Sequence, residues 1–454
     1  ITMFQIYIPA KTKYILSRLT ECGFEAYVVG GCVRDALMGR TPHDWDITTS
    51  ATPEQVFFCF EGKYIIPTGL KHGTVTVVHE QEPFEVTTFR IDGDYTDGRH
   101  PDNVIFTTSL KKDLARRDFT INAMAADKDG NIIDPFGGMT DIQKKQIRCV
   151  GSAEKRFSED ALRILRALRF SSVLGFSIEH DTTRAIRNNK NLLFNIARER
   201  ICKEYSQLLV GVNAADVLLG FPDVVAISFP ELWECVGFEQ NNPYHCYDVY
   251  RHIVESVRNI EPDLVLRLTM LLHDVGKPRC FEWGKDGNGH FYDHGHVSAD
   301  IAEKRLRELR FDGTTIRDVV QLIDVHDTRF PAKENSVCRI MKKIGEKQMR
   351  RFLAVRRADI MAQAEYNREE RLEKVDKIEA IFEGILRQNT AFQIKDLAVN
   401  GNDLISVGMN PGPEMGELLD KMLSLVMDGE LQNEREELLD YARYALEIKR
   451  VLRG

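Results

Sequence analysis

The sequence predicts an α+β protein: a small mixed-sheet head followed by an all-α neck, body and tail. Short β-prone runs punctuated by Gly, Asp and Pro fill the first 150 residues. From Phe157 the apolar spacing becomes helical for nearly all of the rest. At 454 residues the chain is long enough for several domains, and the pattern divides at 1–150, 151–240, 241–370 and 371–454. A net charge of −8 argues against a uniformly basic nucleic-acid binder but leaves room for local basic faces. The nine cysteines form no C-x-x-C pair, and no signal peptide or membrane-length apolar run is present, which suits reduced thiols in a cytoplasm. Met3 reads as the native start.

Lys11–Cys22 is a predicted helix. The stretch Ala26–Asp46, AYVVGGCVRDALMGRTPHDWD, organises the head. An apolar strand ends in Gly30-Gly31, a short helix carries Arg34 and Asp35, and Asp44-Trp45-Asp46 opens a second strand. Residues two apart on a strand point the same way, so Asp44 and Asp46 present both carboxylates to one point, an arrangement that holds Mg²⁺. The glycines let backbone N–H groups approach a triphosphate, with the positive helix end behind them. Thr52-Pro53-Glu54 is a helix start, and strands are predicted at Tyr64–Pro67, Thr74–Val78 and Phe84–Phe89. Glu85 in the last is either a third active-site carboxylate or an exposed strand acid.

Asp92–Pro101, DGDYTDGRHP, reads as an irregular loop beside that site. In Asp113–Ala125, DLARRDFTINAMA, Arg116 and Arg117 suit charge developing on a triphosphate, and Asn122 suits a ribose hydroxyl. Asp118 completes this nucleotide-binding group. Ser158–Phe170, SEDALRILRALRF, is predicted as one helix with a serine N-cap, its Asp160, Arg163, Arg166 and Arg169 recurring every three residues on one face. One carboxylate acceptor beside one guanidinium donor complements the amino edges of cytosine and adenine, and mismatches uracil and guanine. Asp160 and Arg163 alone therefore suffice to select C and A. Ala197–Leu209 reads as a buttress of the same bundle. Lys155–Lys203 carries eleven Lys and Arg against five Asp and Glu, which suits a phosphate-facing surface.

These stretches resemble, in order, the class II tRNA nucleotidyltransferases, the CCA-adding enzymes within the DNA polymerase beta superfamily. The matching motifs are GGxVRDxLxGxxPxDxD, the DGR loop, RRDFTxNAMA, EDxLRxLRxxRF and ERxxxE, spanning Tyr27–Leu209. The resemblance implies Mg²⁺ on Asp44 and Asp46, and triphosphate contacts from Gly31, Arg34 and Arg116 or Arg117. It makes Asp160 and Arg163 the protein template, with Arg166 and Arg169 nearby, and makes tRNA, CTP and ATP the partners. Bacterial poly(A) polymerases share the core, but TGLKHGTVTVV stands where they carry an arginine-rich strand. Asp94–Arg99 supplies the loop that two-cytidine-adding relatives lack, which implies ATP use. An enzyme adding only the terminal A would keep every one of these motifs.

Further on, His252 and His273-Asp274 in LTMLLHDVGKP resemble an HD domain, a helical fold that holds one or two metals and hydrolyses phosphoesters. His252, His273, Asp274 and Asp359 are candidate ligands for a first, transition-metal site; His296 and His326 are candidates for a second, with His294 and Asp324 as alternatives. This makes the chain either a polymerase whose body is a scaffold, or one with added phosphohydrolase activity, or a phosphohydrolase with a nucleotide-binding head. The basic run Arg339–Arg357 can lie along tRNA phosphates, and Phe392–Gly454 reads as a helical hairpin that the resemblance carries to the tRNA elbow.

Overall fold

The computed structural model describes residues 5–93, 104–388 and 392–453. Helix α1 (Ala10–Glu21) leads into β1 (Ala26–Val29), α2 (Gly31–Leu37), β2 (Ile47–Thr49) and α3 (Pro53–Cys59). Strands β3 (Tyr64–Gly69), β4 (Thr74–His79) and β5 (Glu82–Thr88) follow, then a separate pair, β6 (Arg90–Asp92) and β7 (Val104–Phe106). The short α4 (Leu110–Ala115), β8 (Ala125–Ala126), β9 (Ile132–Ile133) and α5 (Gly138–Gln143) close this part. A seven-stranded sheet in the order β3-β4-β5-β2-β1-β8-β9 is mixed: β2 and β5 run parallel and the other pairs antiparallel. Val28, Ile47 and Val86 on its central strands are at most 1% exposed. Burial of each contributes about 1.5–3 kcal/mol, enough to hold the strand ends that carry the polar residues.

The expected helix start at Thr52 is present as a capping box with Gln55 and Pro53 in the first turn. The second strand begins at Ile47 rather than Asp44, although the Asp46 carbonyl accepts from Val29 N–H at 3.0 Å and extends the pairing by one bond. The loop Asp94–Arg99 lies outside the described residues.

Strand β10 (Gln146–Ile147) pairs in parallel with β11 (Ser177–Ile178) around α6 (Ala153–Glu159) and α7 (Leu162–Leu174). The single helix expected over Ser158–Phe170 is therefore two. Asp160 sits between them in an extended conformation, and its own carboxylate accepts from Leu162 N–H at 3.0 Å. The aspartate competes for the backbone that a continuous helix would use. The cap is Ser152, whose hydroxyl accepts from Lys155 N–H, while Ser158 donates back to the Lys155 carbonyl. Helices α8 (His180–Asn189), α9 (Arg198–Leu209), α10 (Ala214–Gly220), α11 (Pro222–Ser228) and α12 (Glu231–Cys235) complete the neck.

The chain forms two compact units, the first running to Trp233 with Glu308–Phe311. The second contains α13 (Val249–Arg258), α14 (Leu264–Leu272), the hairpin β12 (Phe281–Trp283) and β13 (Gly289–Phe291), α15 (His294–Glu308) and α16 (Gly313–Val325). It continues through α17 (Glu334–Met361), α18 (Arg368–Gln388), α19 (Gly401–Ser406), α20 (Pro413–Met427) and α21 (Arg435–Arg453). The basic run Arg339–Arg357 lies on α17, which is kinked at Gly345 (φ 79°). Its charges are largely spent inside the unit: Arg339 pairs with Asp428, Lys342 with Asp420, Lys343 with Asp324, Arg351 with Asp318, and Arg357 with Asp376 and Glu379. Charge counting along the sequence does not register acids brought in by other helices.

Candidate active site and metal cluster

In the head, Gly30 ends β1 with φ 85° and ψ −130°, a backbone open in practice only to glycine. A Cβ there would stand 3.1 Å from Arg117 Nη1, so the missing side chain also admits that guanidinium. A cavity of about 160 Å³ beside it is lined by Asp46, Glu85, Arg90, Arg116 and Arg117. Asp44 is exposed and outside that lining, but close enough for charge repulsion. Burial, and then Asp44, push the Asp46 carboxyl above its usual range, with Arg117 pulling the other way. Asp46 as a whole residue is nevertheless exposed.

The arginines are aimed by a residue to which the sequence reading assigned no role. Asp113 is fully buried. It accepts from Arg116 Nε at 3.0 Å and Nη2 at 2.8 Å, and pairs with Arg117 Nη2 at 3.6 Å. The i, i+3 and i, i+4 spacing of Asp113, Arg116 and Arg117 was the available signal. Burial lowers the basicity of Arg117, and Asp113 and Asp46 draw it back.

Arg34 and Asn122 are brought together, but to each other: Arg34 Nη1 donates to Asn122 Oδ1 at 2.6 Å, and Arg34 Nε donates to Asp35 at 2.9 Å. Asn122 Nδ2 donates to Asp118, which takes Arg166 Nε at 2.7 Å. Burial would raise the Asp118 carboxyl, yet Arg166 and Arg163 outweigh it and hold it at about 2. Arg169 lies 4.2 Å from the Phe170 ring centre, with Arg34 at 5.2 Å and Arg166 at 5.4 Å.

The Arg163 N–H donates to the Asp160 carbonyl at 3.0 Å, and neither residue lines the head cavity. Asp160 takes both terminal nitrogens of Arg200, at 2.7 and 3.4 Å. Arg163 donates to Glu159 at 2.7 Å and to the Arg116 carbonyl at 3.2 Å, tying the neck to the cavity's arginine. Glu204, one turn after Arg200 on α9, pairs with Arg169 at 2.9 Å. The expected buttress is therefore a clamp whose two charged residues hold Asp160 and Arg169.

In the second unit, α13, α14, α15, α16 and α17 converge on Asp274. His252 Nε2 lies 3.0 Å from one oxygen of Asp274 and 3.1 Å from Asp359, and His273 Nε2 is 3.2 Å from that same Asp274 oxygen. The other Asp274 oxygen faces His294 Nε2 at 3.2 Å and His326 Nε2 at 3.6 Å. On each imidazole the other nitrogen, Nδ1, faces a backbone carbonyl: Ala362 for His252, Met270 for His273, Phe291 for His294 and Ile323 for His326. A carbonyl only accepts, so each Nδ1 carries a proton and all four Nε2 atoms point inward. Neither Asp274 oxygen receives a well-directed hydrogen bond, although Lys277 Nζ is 2.7 Å away.

The buried charges of the cluster depend on one another. Burial opposes charge on His273, but Asp274 and Asp359 more than offset it and lift the group to about 10. Asp274 and Asp359 lie well below the usual carboxylate range, burial opposing and the imidazoles prevailing. Two potential metal groups share one carboxylate: His252, His273 and Asp274, and Asp274, His294 and His326. His296 is not among them; it sits exposed against Asp324 at 3.2 Å. Both histidines fall in the first turn of α15, but His294 points inward and His296, two residues on, points away.

A carboxylate-and-arginine cavity on a small mixed sheet, with a helical neck behind it, defines a nucleotidyltransferase. Residues 26–148 match the family model of the poly A polymerase head domain, 175–221 that of a probable RNA and SrmB-binding site of polymerase A, and 291–442 that of a tRNA nucleotidyltransferase domain 2. The CCA-adding enzyme of Lactobacillus delbrueckii subsp. bulgaricus is 34% identical over 94% of this chain and 96% of its own. That of Enterococcus faecalis is 35% identical over 94% of each. The Bacillus stearothermophilus CCA-adding enzyme in complex with CTP superposes with a TM-score of 0.68 at 30% identity, covering 97% of this chain and 98% of that one. The Thermotoga maritima enzyme complexed with tRNA, at 22% identity and a TM-score of 0.60, shares the fold. This chain belongs to the class II CCA-adding enzyme family.

Proposed function

We infer that this chain adds C, C and A to tRNA 3′ ends from CTP and ATP, without a nucleic-acid template. The supporting observation is Asp46, with the Asp44 charge acting on it, sharing a cavity with Arg116 and Arg117 in a chain of this family. The terminal hydroxyl of tRNA attacks the α-phosphorus, and pyrophosphate leaves. The Asp46 and Asp44 carboxylates repel one another, Asp46 shares its cavity with Glu85, and no imidazole is in that lining, which suits Mg²⁺. Bound there, Mg²⁺ supplies charge stabilisation to the triphosphate and activates the attacking hydroxyl. Arg116 and Arg117, held by Asp113, neutralise the triphosphate, and Gly30 lets Arg117 approach the strand end. In the 151–240 neck, Asp160, gripped by Arg200, offers a carboxylate acceptor to an amino group, and Arg163 offers a guanidinium donor to the ring nitrogen beside it. Among the described residues, no helix is long and apolar enough to cross a membrane.

The test supplies tRNA lacking CCA with each nucleotide separately. CTP alone should add two residues, and ATP should add one only after them. UTP incorporated as well as CTP would overturn the Asp160–Arg163 assignment. ATP extending only tRNA that already ends in CC, with CTP inert, would define an A-only enzyme, and long A tails on unstructured RNA a poly(A) polymerase.

A second reading is favoured by the four inward Nε2 atoms: the second unit binds transition metal at His252, His273, Asp274 and Asp359, and at Asp274, His294 and His326, and hydrolyses phosphoesters. Water adds at phosphorus, the ester P–O bond breaks, and the leaving oxygen takes up a proton. Hydrolysis of 2′,3′-cyclic phosphates should survive Asp44→Ala and vanish in His273→Ala. Metal-loaded protein inert toward every phosphoester would refute it.

A further inference from the structure

The metal cluster opens into a cavity of about 770 Å³, far more than a phosphate requires. Its walls differ. One end holds Asp274, His294, His326 and Asp359; the other is apolar, built from Phe330 and Phe352, stacked 6.1 Å apart, with Leu353, Val375 and Ile378. Arg356 lies between them. It stands one turn before Asp359 on α17, so both reach the cavity from one helix face. Its Nη1 donates to the backbone carbonyl of His326 at 2.8 Å and stands 3.6 Å from Asp327. Among the described residues, the remaining donors of this guanidinium have no hydrogen-bond partner. Arg371 also lines the cavity, but its donors are spent on the carbonyls of Ala364, Asn367 and Tyr366 and on Gln363.

Resting on the second reading above, we propose that this cavity takes a free organic phosphate of nucleotide size, with Arg356 anchoring the phosphate beside the His294–His326–Asp274 group and the organic body against the Phe330–Phe352 wall. A guanidinium with donors to spare binds a phosphate in two-point fashion. A stacked pair of aromatic rings suits a planar base, which buries apolar faces at little cost in side-chain freedom.

The experiment uses the full chain loaded with Co²⁺, because cobalt held by imidazoles absorbs visible light that a carboxylate-bound metal in the head does not match. The band should be present in the wild type and absent in Asp274→Asn. Inorganic phosphate and AMP should each perturb it, AMP at a concentration at least tenfold lower. Arg356→Ala should keep the band and raise both half-saturating concentrations about tenfold or more, with Arg356→Lys intermediate. Phe330→Ala should raise that of AMP alone. If Arg356→Ala titrates like the wild type, or if AMP and phosphate are equivalent, the proposal is overturned while the metal site stands. If the wild type shows no imidazole–cobalt band, the metal reading itself falls, and this proposal with it.

Discussion

At Gly30 one backbone angle and one close approach serve the same end. A side chain there meets both the penalty of a positive φ, about 1–3 kcal/mol, and Arg117 Nη1 at 3.1 Å. Gly30→Ala is expected to lower nucleotide addition at least tenfold with a loss of thermal stability, read by single-turnover kinetics and calorimetry. Asp44→Ala should abolish addition while leaving tRNA binding within about twofold, since the carboxylate takes no part in the fold's described hydrogen bonds. In the proposed reading Arg200 is a positioning residue: its fork grips both carboxylate oxygens of Asp160. Arg200→Ala should therefore relax CTP-over-UTP selection about tenfold or more, with tRNA affinity unchanged. Arg200→Lys, lacking the fork, should rescue only part. Selection intact in Arg200→Ala would show that Asp160 needs no such support.

Between elements, the chain Arg34–Asn122–Asp118–Arg166 ties α2 to α7. Asp118 is the group through which this link depends on pH. Its pKa is depressed from 3.8 to about 2, so the stability it contributes is fully present above 3.8 and lost as pH falls toward 2. That difference corresponds to about 2 kcal/mol. In Asp118→Asn, urea unfolding of the first unit should show less stability at pH 6 and a shallower decline between pH 4 and 2. An unchanged acid slope would remove Asp118 from the account. The break between α6 and α7 belongs to this scale too. SEDALRILRALRF has unbroken helical periodicity, and only the bond from Leu162 N–H to the Asp160 carboxylate, with Arg200 arriving from α9, turns the aspartate out of the helix.

For the whole molecule, two compact units and a buried cluster of inward Nε2 atoms predict ligand-dependent stability. A metal that binds only the folded state at a hundred times its dissociation constant adds about 2.7 kcal/mol. Scanning calorimetry with Co²⁺ or Zn²⁺ should therefore raise the melting of the second unit, and Asp274→Asn should remove the rise. Much of this organisation is legible along the chain. GGxVRD and DWD place a turn and paired acids through local geometry, and the change of period at Phe157 marks where sheet gives way to helix. His273 and Asp274 stand out as candidate ligands because they interrupt an apolar helix. Partnership across distance is not encoded in spacing. Asp113 beneath two arginines, Arg200 on Asp160, His294 in place of His296, and the acids that neutralise α17 are all set by which helix faces pack together. Local spacing determined the residues capable of the chemistry; tertiary packing decided their partners, because charge and lone-pair direction act through space between segments that the chain order keeps far apart.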